Sequence, residues 1–310
     1  MGRAILANDM ATVVFCNDYL APRTVDPDFI TEYEAARDAG FDTVLVPYED
    51  LSKGLGPSLR IEQAIIPGTA IYRGWMLTLR HYEQLYAALA EQDLRLVNSP
   101  TEYAHTHHFP HCYPFIAENT PFSISTRIDD PPDFDVIHAL LVPFGPKPIM
   151  VKDFVKSEKH HWKEACFIPN AADRAQVEQV TRRFLELRGE HLNEGLVYRE
   201  FIPLAHLSDH PKSGMPTAVE FRLFFVNGAL MSASPYWEDG EYTDALPPTV
   251  DFERIARKVQ SRFFSMDIAK REDGRWTIME LGDGQVSGLP LALDPKVFYE
   301  RLFAAVNAAA

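Results

Sequence analysis

The period of the hydrophobic positions changes along the chain, and the changes predict its elements. Residues 13–18, Val-Val-Phe-Cys-Asn-Asp, form a short apolar run closed by polar residues, the pattern of a buried strand. Over 28–39, Phe29, Tyr33 and Ala36 recur at helical spacing, and Gly40 ends the helix. Strand patterns follow at 41–47, 70–75 and 94–100, separated by a helix over 81–92 whose stripe is Tyr82, Leu85, Tyr86 and Leu89. Strands alternating with helices predict a parallel, three-layer α/β unit at the N-terminus. In such units ligands gather at the carboxyl ends of the strands, here marked by Asn17-Asp18, Arg73 and Asn98-Ser99. Polar residues also simply terminate strands, and each of these taken singly fits that as well.

The second half reads differently. Prolines crowd 110–148 (Pro110, Pro114, Pro121, Pro131, Pro132, Pro143, Pro146 and Pro148), as in a crossover, with an extended piece at 122–126 and a helix near 133–141. We place a domain boundary near residue 118, giving domains 1–118 and 119–310, the latter divided into 119–205 and 206–310. A strand precedes Lys152, a helix covers 172–188 (Val177, Val180, Phe184, Leu185, Leu187), and a strand covers 195–204. Residues 216–227 alternate cleanly. Val219, Phe221, Leu223 and Phe225 share one face, and Glu220 and Arg222 the other. Asn227-Gly228 predicts a tight turn into 229–236, and a helix is expected over 249–264. The second half is therefore α+β, mainly antiparallel.

A last hairpin is predicted around Asp273-Gly274. With those two residues as the turn, Glu272 pairs with Arg275 and Asp267 falls opposite Glu280. Two carboxylates about 5 Å apart repel unless something compensates. A hard divalent cation would do so, and so would plain solvation. Apolar neighbours Phe264, Met266, Ile268, Trp276 and Ile278 indicate a packed hairpin and favour the cation. In an otherwise acidic chain, Lys152, Lys156 and Lys159 fall within eight residues after a strand, either as a solvated loop or as a polyphosphate cradle.

Composition narrows the classes. A net charge of −14 disfavours a general nucleic-acid or membrane-surface binder. Cys16, Cys112 and Cys166 are far apart and odd in number, which gives no disulfide framework and suits a reducing, cytoplasmic setting. Residues 1–10 lack the apolar core of a signal peptide, and no run approaches a membrane span. His105, His107, His108, His111 and Cys112 lie close together, but their spacing matches no structural zinc pair. A loop reaching into a pocket is expected there.

The order of pieces, with Tyr72-Arg73-Gly74-Trp75, Val151-Lys152-Asp153, Val155-Lys156-Ser157, Arg199-Glu200-Phe201, Glu220-Phe221-Arg222 and Glu280-Leu281-Gly282-Asp283-Gly284, resembles the ATP-grasp superfamily over essentially the whole chain. It looks most like the small clade named for one arginine and two lysines, with Arg222, Lys152 and Lys156 matching those three. The resemblance implies an ATP-grasp fold behind an N-terminal α/β pre-ATP-grasp domain. It also implies ATP and Mg2+ as cofactors. The activity implied is joining a carboxylate to an amine through an acyl phosphate, with small molecules as substrates.

Residue by residue, the resemblance puts Lys152 on the α/β-phosphates and Lys156 on a loop over the phosphates. Glu200, Phe201 and Ile202 form the adenine hinge, Glu220 and Arg222 lie by the transferring phosphoryl, and Asp267 and Glu280 bind magnesium. The superfamily places an Asn ligand two residues after that Glu; here the position is Gly282, and Asp283 is assigned instead. The acid substrate is expected near Arg73, Asn98 and His107. A non-catalytic ATP-binding scaffold, and an enzyme acting on a macromolecule, are the alternatives.

Overall fold

The computed structural model describes residues 11–54, 67–129, 131–209, 216–242 and 246–308. The first ten residues, considered above for a secretion signal, lie outside them. Strand β1 (Thr12–Cys16) is buried throughout, and β2 (Asp42–Val46) and β3 (Gly68–Arg73) pair with it in parallel on either side. Between them run α1 (Ile30–Asp38) and α2 (Tyr48–Ser52), then α3 (Leu79–Ala90) leads to β4 (Leu94–Leu96), for a sheet order β2-β1-β3-β4. Alternation divides the sheet between two cores. Val13, Phe15 and Ile71 meet Ala36 and Phe41, while Val14, Ala70 and Tyr72 meet Tyr82, Leu85 and Leu89.

The stretch around 103–112 is not a loop. It forms α4 (Pro100–His107) and α5 (Phe109–Ile116). The cause is local: Ser99 and Glu102 make a capping box, and Pro100 occupies the first helical turn. His105, His107 and His108 are consequently buried.

β5 (Ser123–Arg127), α6 (Phe134–Leu141), β6 (Ile149–Asp153), β7 (Phe167–Ile168), α7 (Arg174–Arg188) and β8 (Gly195–Glu200) form the second unit. Its antiparallel sheet, β5-β8-β6-β7, buries Ile149, Val151 and Tyr198 against Ile137, Val177 and Phe184. A small ribbon, β9 (His206–Asp209) with β10 (Pro216–Ala218), leads to the third.

There β11 (Glu220–Val226) and β12 (Ala229–Pro235) precede α8 (Thr249–Ala256), β13 (Phe263–Lys270) and β14 (Trp276–Asp283), in sheet order β12-β11-β13-β14. The helix expected over 249–264 stops at Ala256. Phe263 and Phe264 are successive strand residues facing two different cores, and a strand buried on both sides shows no alternation. Phe221, Leu223, Phe264, Met266 and Ile278 pack on Phe252 and Ile255 of α8. On the opposite face Phe224 and Phe263 join β1 and the last helix, α9 (Pro295–Asn307), in one shared core. The remainder of that face carries Glu220, Arg222, Asp267 and Glu280. Among the described residues no helix is long and apolar enough to cross a membrane.

The two hairpin turns differ. Asn227 and Gly228 both have positive φ (52° and 74°), as a two-residue type I′ turn demands. At the last hairpin only Gly274 does (82°), its amide donates to the Arg271 carbonyl at 2.9 Å, and Lys270 pairs with Trp276. The connection is one residue longer than Asp273-Gly274 alone. A β-bulge at Met279 then takes up one residue, so Asp267 still stands opposite Glu280.

Candidate functional site

Pairing across the third sheet sets Arg222, Asp267 and Glu280 in a row on three adjacent strands. Left alone, the two acids would repel. Each instead has a cation. Arg222 grips Asp267 with two bonds of 2.7 Å, Nε to Oδ1 and Nη2 to Oδ2. Its Nη1 donates to the Gly288 carbonyl at 2.8 Å, and its guanidinium lies 4.8 Å from the Tyr236 ring centroid. Lys152, buried at the end of β6 in the second sheet, donates from Nζ to Glu280 Oε1 at 2.5 Å. Burial pushes the Glu280 carboxyl up, but Lys152 and then Lys159 outweigh it and hold it at about 2. Glu220, two residues before Arg222, is raised by burial and by Asp267 against the pull of Lys159. It accepts a bond from Trp237 Nε1 at 3.1 Å. Burial would weaken the Lys159 ammonium, yet Glu220 and Glu280 strengthen it overall.

Asp153 fixes the lysine loop. Its Oδ1 accepts from the Val155 amide at 2.7 Å and from the Lys156 amide. Its Oδ2 accepts from Arg188 Nε at 3.0 Å and Asn193 Nδ2 at 2.9 Å. Lys156 is exposed; burial of its surroundings, opposed by Glu280 and assisted by Lys152, lowers its pKa. At the end of β8, Glu200 accepts from Lys147 Nζ at 2.9 Å, and the Phe201 amide donates to the Pro148 carbonyl at 3.0 Å. The half-exposed Phe201 ring packs against Trp162 and Phe167, with centroids 5.8 and 5.1 Å away. Ile202 follows, partly buried.

Four residues expected at the site lie apart or are consumed internally. Asp283 points away from Asp267 and Glu280. It is fully buried, accepts from Asn98 Nδ2 at 2.5 Å and from the Gln285 amide at 3.0 Å, and is not available to an ion held by the other two acids. Asn98 is spent on Asp283 and on the Phe263 backbone, at 2.6 Å from Nδ2 and 3.0 Å to Oδ1. Arg73 is 1% exposed; it binds Glu32 with both ends of its fork and donates to the Gly284 and Ser287 carbonyls at 2.6 and 2.8 Å. These two are struts, with no group free for a substrate. His107 is buried on the Tyr103 ring, 4.8 Å between centroids. Burial pushes it down to about 3, with His108, Lys156 and Lys152 adding to the shift, so it borders the lysines as a neutral ring. His105 lines a separate cavity of about 290 Å3 with Glu83, Thr101 and His111.

Arg199, part of the Arg199-Glu200-Phe201 segment, has no role assigned from sequence. It is buried, donates to the Met279 and Ile278 carbonyls (2.5 and 2.9 Å) and to Thr120 Oγ1 (2.7 Å), and so ties β8 to the bulge beside Glu280. Among the described residues no three His, Cys, Asp or Glu side chains converge as a metal-binding group. A hard cation held by Asp267 and Glu280 would complete its shell with neutral oxygens, which suits its chemistry.

The sequence model that matches the chain describes an ATP-grasp domain, family 3 of the clade named for one arginine and two lysines. It covers residues 143–302, just over half of the 310. No curated protein sequence matches the chain. Solved structures similar to it include a RimK domain protein ATP-grasp from Sphaerobacter thermophilus (TM-score 0.60, 14% identity, 96% of this chain and 99% of that one). The ATP-grasp ligase PsnB complexed with precursor peptide PsnA2 and AMPPNP gives 0.58 at 14% identity, over 99% of both chains. D-alanyl-alanine synthetase A from Vibrio cholerae gives 0.56 at 12%, over 98% and 100%. At such identities the likeness shows a shared fold.

Proposed function

Because the chain belongs to family 3 of the one-arginine, two-lysine clade of ATP-grasp domains and has the ATP-grasp fold, we propose that it is an ATP- and Mg2+-dependent ligase that joins a carboxylate to an amine. The observation that carries this is the pairing of the two forced-together acids, one with a cation of its own sheet and one with a cation of the other. A metal–nucleotide complex brings a dication and several phosphate oxygens. Asp267 and Glu280 can take the ion as Arg222 and Lys152 turn to phosphate, so no buried charge loses its partner. A hard divalent cation there would neutralise phosphate charge and polarise the transferring group.

The chain's own residues would then divide the work. Lys152 holds the α/β-phosphates. Lys156, on the loop pinned by Asp153, and Arg222, with Glu220 behind it, meet the transferring phosphoryl. The substrate carboxylate attacks the γ-phosphorus and ADP leaves; the amine attacks the acyl carbon and phosphate leaves. This is catalysis by position and electrostatics, with no nucleophilic side chain needed. The cysteines agree: burial pushes the Cys16 and Cys166 thiols up to about 11 and Cys112 to about 12. At the hinge of Glu200, Phe201 and Ile202, the Phe201 amide is already engaged. Phe201 would therefore meet adenine through its ring.

We assign a small-molecule acid and amine as substrates. A peptide substrate is the second reading, favoured by the likeness to a ligase solved with a precursor peptide. ADP release across panels of carboxylic acids and amines, then of peptides, separates the two. Asp267→Asn with Glu280→Gln should weaken Mg2+-dependent binding of a nonhydrolysable ATP analogue by at least about tenfold. Undiminished binding in that double variant would falsify the metal assignment.

A further inference from the structure

Asp267 and Glu280 offer two protein ligands to an ion that surrounds itself with six or more oxygens. Alternation on β13 puts Ser265 on the face of Asp267, about 6.6 Å along the strand, and Ser265 pairs directly with Gly282. Gly282 stands on the face of Glu280. A Cβ at 282 would meet Ser287 Oγ at 2.7 Å and Ser265 Oγ at 2.9 Å. The volume that a side chain at 282 would fill is therefore already filled, by two hydroxyls 2.7 Å apart.

Proton counting separates the two serines. Ser287 Oγ donates to the Asp283 carbonyl at 2.8 Å, and a carbonyl can only accept. Its single proton is thereby used. In the contact between the hydroxyls Ser265 must be the donor, which leaves both lone pairs of Ser265 Oγ unengaged among the described residues. Ser265 is 2% exposed and Ser287 6%, so the arrangement is rigid. Arg73 stiffens it further by holding the Gly284 and Ser287 carbonyls.

Resting on the reading of Asp267 and Glu280 as cation ligands, we infer that the Ser265 hydroxyl oxygen is the third protein ligand of that ion, oriented by Ser287 and standing in the space left by Gly282. A neutral hydroxyl at this point keeps the site at two negative charges. It also explains why residue 282 has no side chain: both the volume and the donor atom come from elsewhere.

The test is calorimetric titration of a nonhydrolysable ATP analogue with Mg2+, with Cd2+, and with EDTA. The unaltered protein must first bind more tightly with Mg2+ than with EDTA; if it does not, the cation reading itself fails and the inference with it. Ser265→Ala should then lose about tenfold in Mg2+ and nothing in EDTA. Ser265→Cys should be weak in Mg2+ and regain affinity in Cd2+, since a soft sulfur ligand selects the softer ion. In the triple variant Ser265→Ala/Ser287→Ala/Gly282→Asn the freed volume admits a carboxamide, and Mg2+ dependence should return. If Ser265→Ala matches the unaltered protein in Mg2+, or loses as much in EDTA as in Mg2+, and Ser265→Cys shows no preference for Cd2+, the inference is overturned while the acid pair stands.

Discussion

Asp283 shows how one residue's chemistry follows from the face it occupies. Burial raises its carboxyl from the ordinary 3.8 to about 7, against the hydrogen bonds from Asn98 and Gln285. Between those values the folded chain holds a proton that the unfolded chain has lost, so stability falls as pH rises from about 4 to 7. The effect amounts to at most about 4 kcal/mol. His107 acts the other way, since burial lowers it to about 3 and stability falls as pH drops below its ordinary 6.5. Asp283→Asn keeps an acceptor for Asn98 and removes the first slope alone. The difference between denaturation curves of the two proteins should grow with pH over that window. Mg2+-dependent nucleotide affinity should not change; a loss there would return Asp283 to the metal. From sequence, Asp267 and Glu280 were legible because pairing is a local count. Arg73 and Asn98 were not. A polar residue at a strand end looks the same whether it meets a ligand or a partner such as Glu32 or Asp283, far away in the chain.

At the scale of elements, the last hairpin was right for an incomplete reason. A two-residue turn puts Trp276, Ile278 and Glu280 on one face, and two of these belong in the core. The longer connection turns Trp276 and Ile278 inward, and the bulge at Met279 turns Glu280 back toward Asp267. Gly274 was compatible with either turn; only the conflict of faces could have decided. Arg199 maintains the solution by capping the Met279 carbonyl. Arg199→Met leaves buried carbonyls unpaired and should cost roughly 3–5 kcal/mol in chemical denaturation. It should also weaken nucleotide binding, and Arg199→Lys should fall between. An Arg199→Met protein as stable as the parent would show that the bulge holds itself. The capping box at Ser99 is equally visible in the sequence, whereas the histidines after it have the composition of a loop.

The whole molecule is acidic, at −14, while Asp267 and Glu280 neutralise the cations nearest to them. Seen from a distance, an incoming nucleotide meets repulsion. Its association rate, followed by stopped flow with a fluorescent analogue, should therefore rise as salt shortens the Debye length from about 30 Å at 0.01 M to about 10 Å at 0.1 M. A rate that falls with salt would mean that the lysine loop dominates the approach.

The alternation of strands and helices in the parallel half, and the mainly antiparallel character of the other, were legible from periodicity. The way the halves share interiors was not, because Phe224 and Phe263 could face either side. Their choice has a mechanical result. The first and third sheets share one core, with Phe298 of α9 between them, whereas the second sheet has an interior of its own. The first and third form a frame and the second a jaw. Arg199 crosses from jaw to frame and ends on the two carbonyls beside Glu280, which makes it a tether: the jaw cannot draw away from the frame at that point without breaking both bonds.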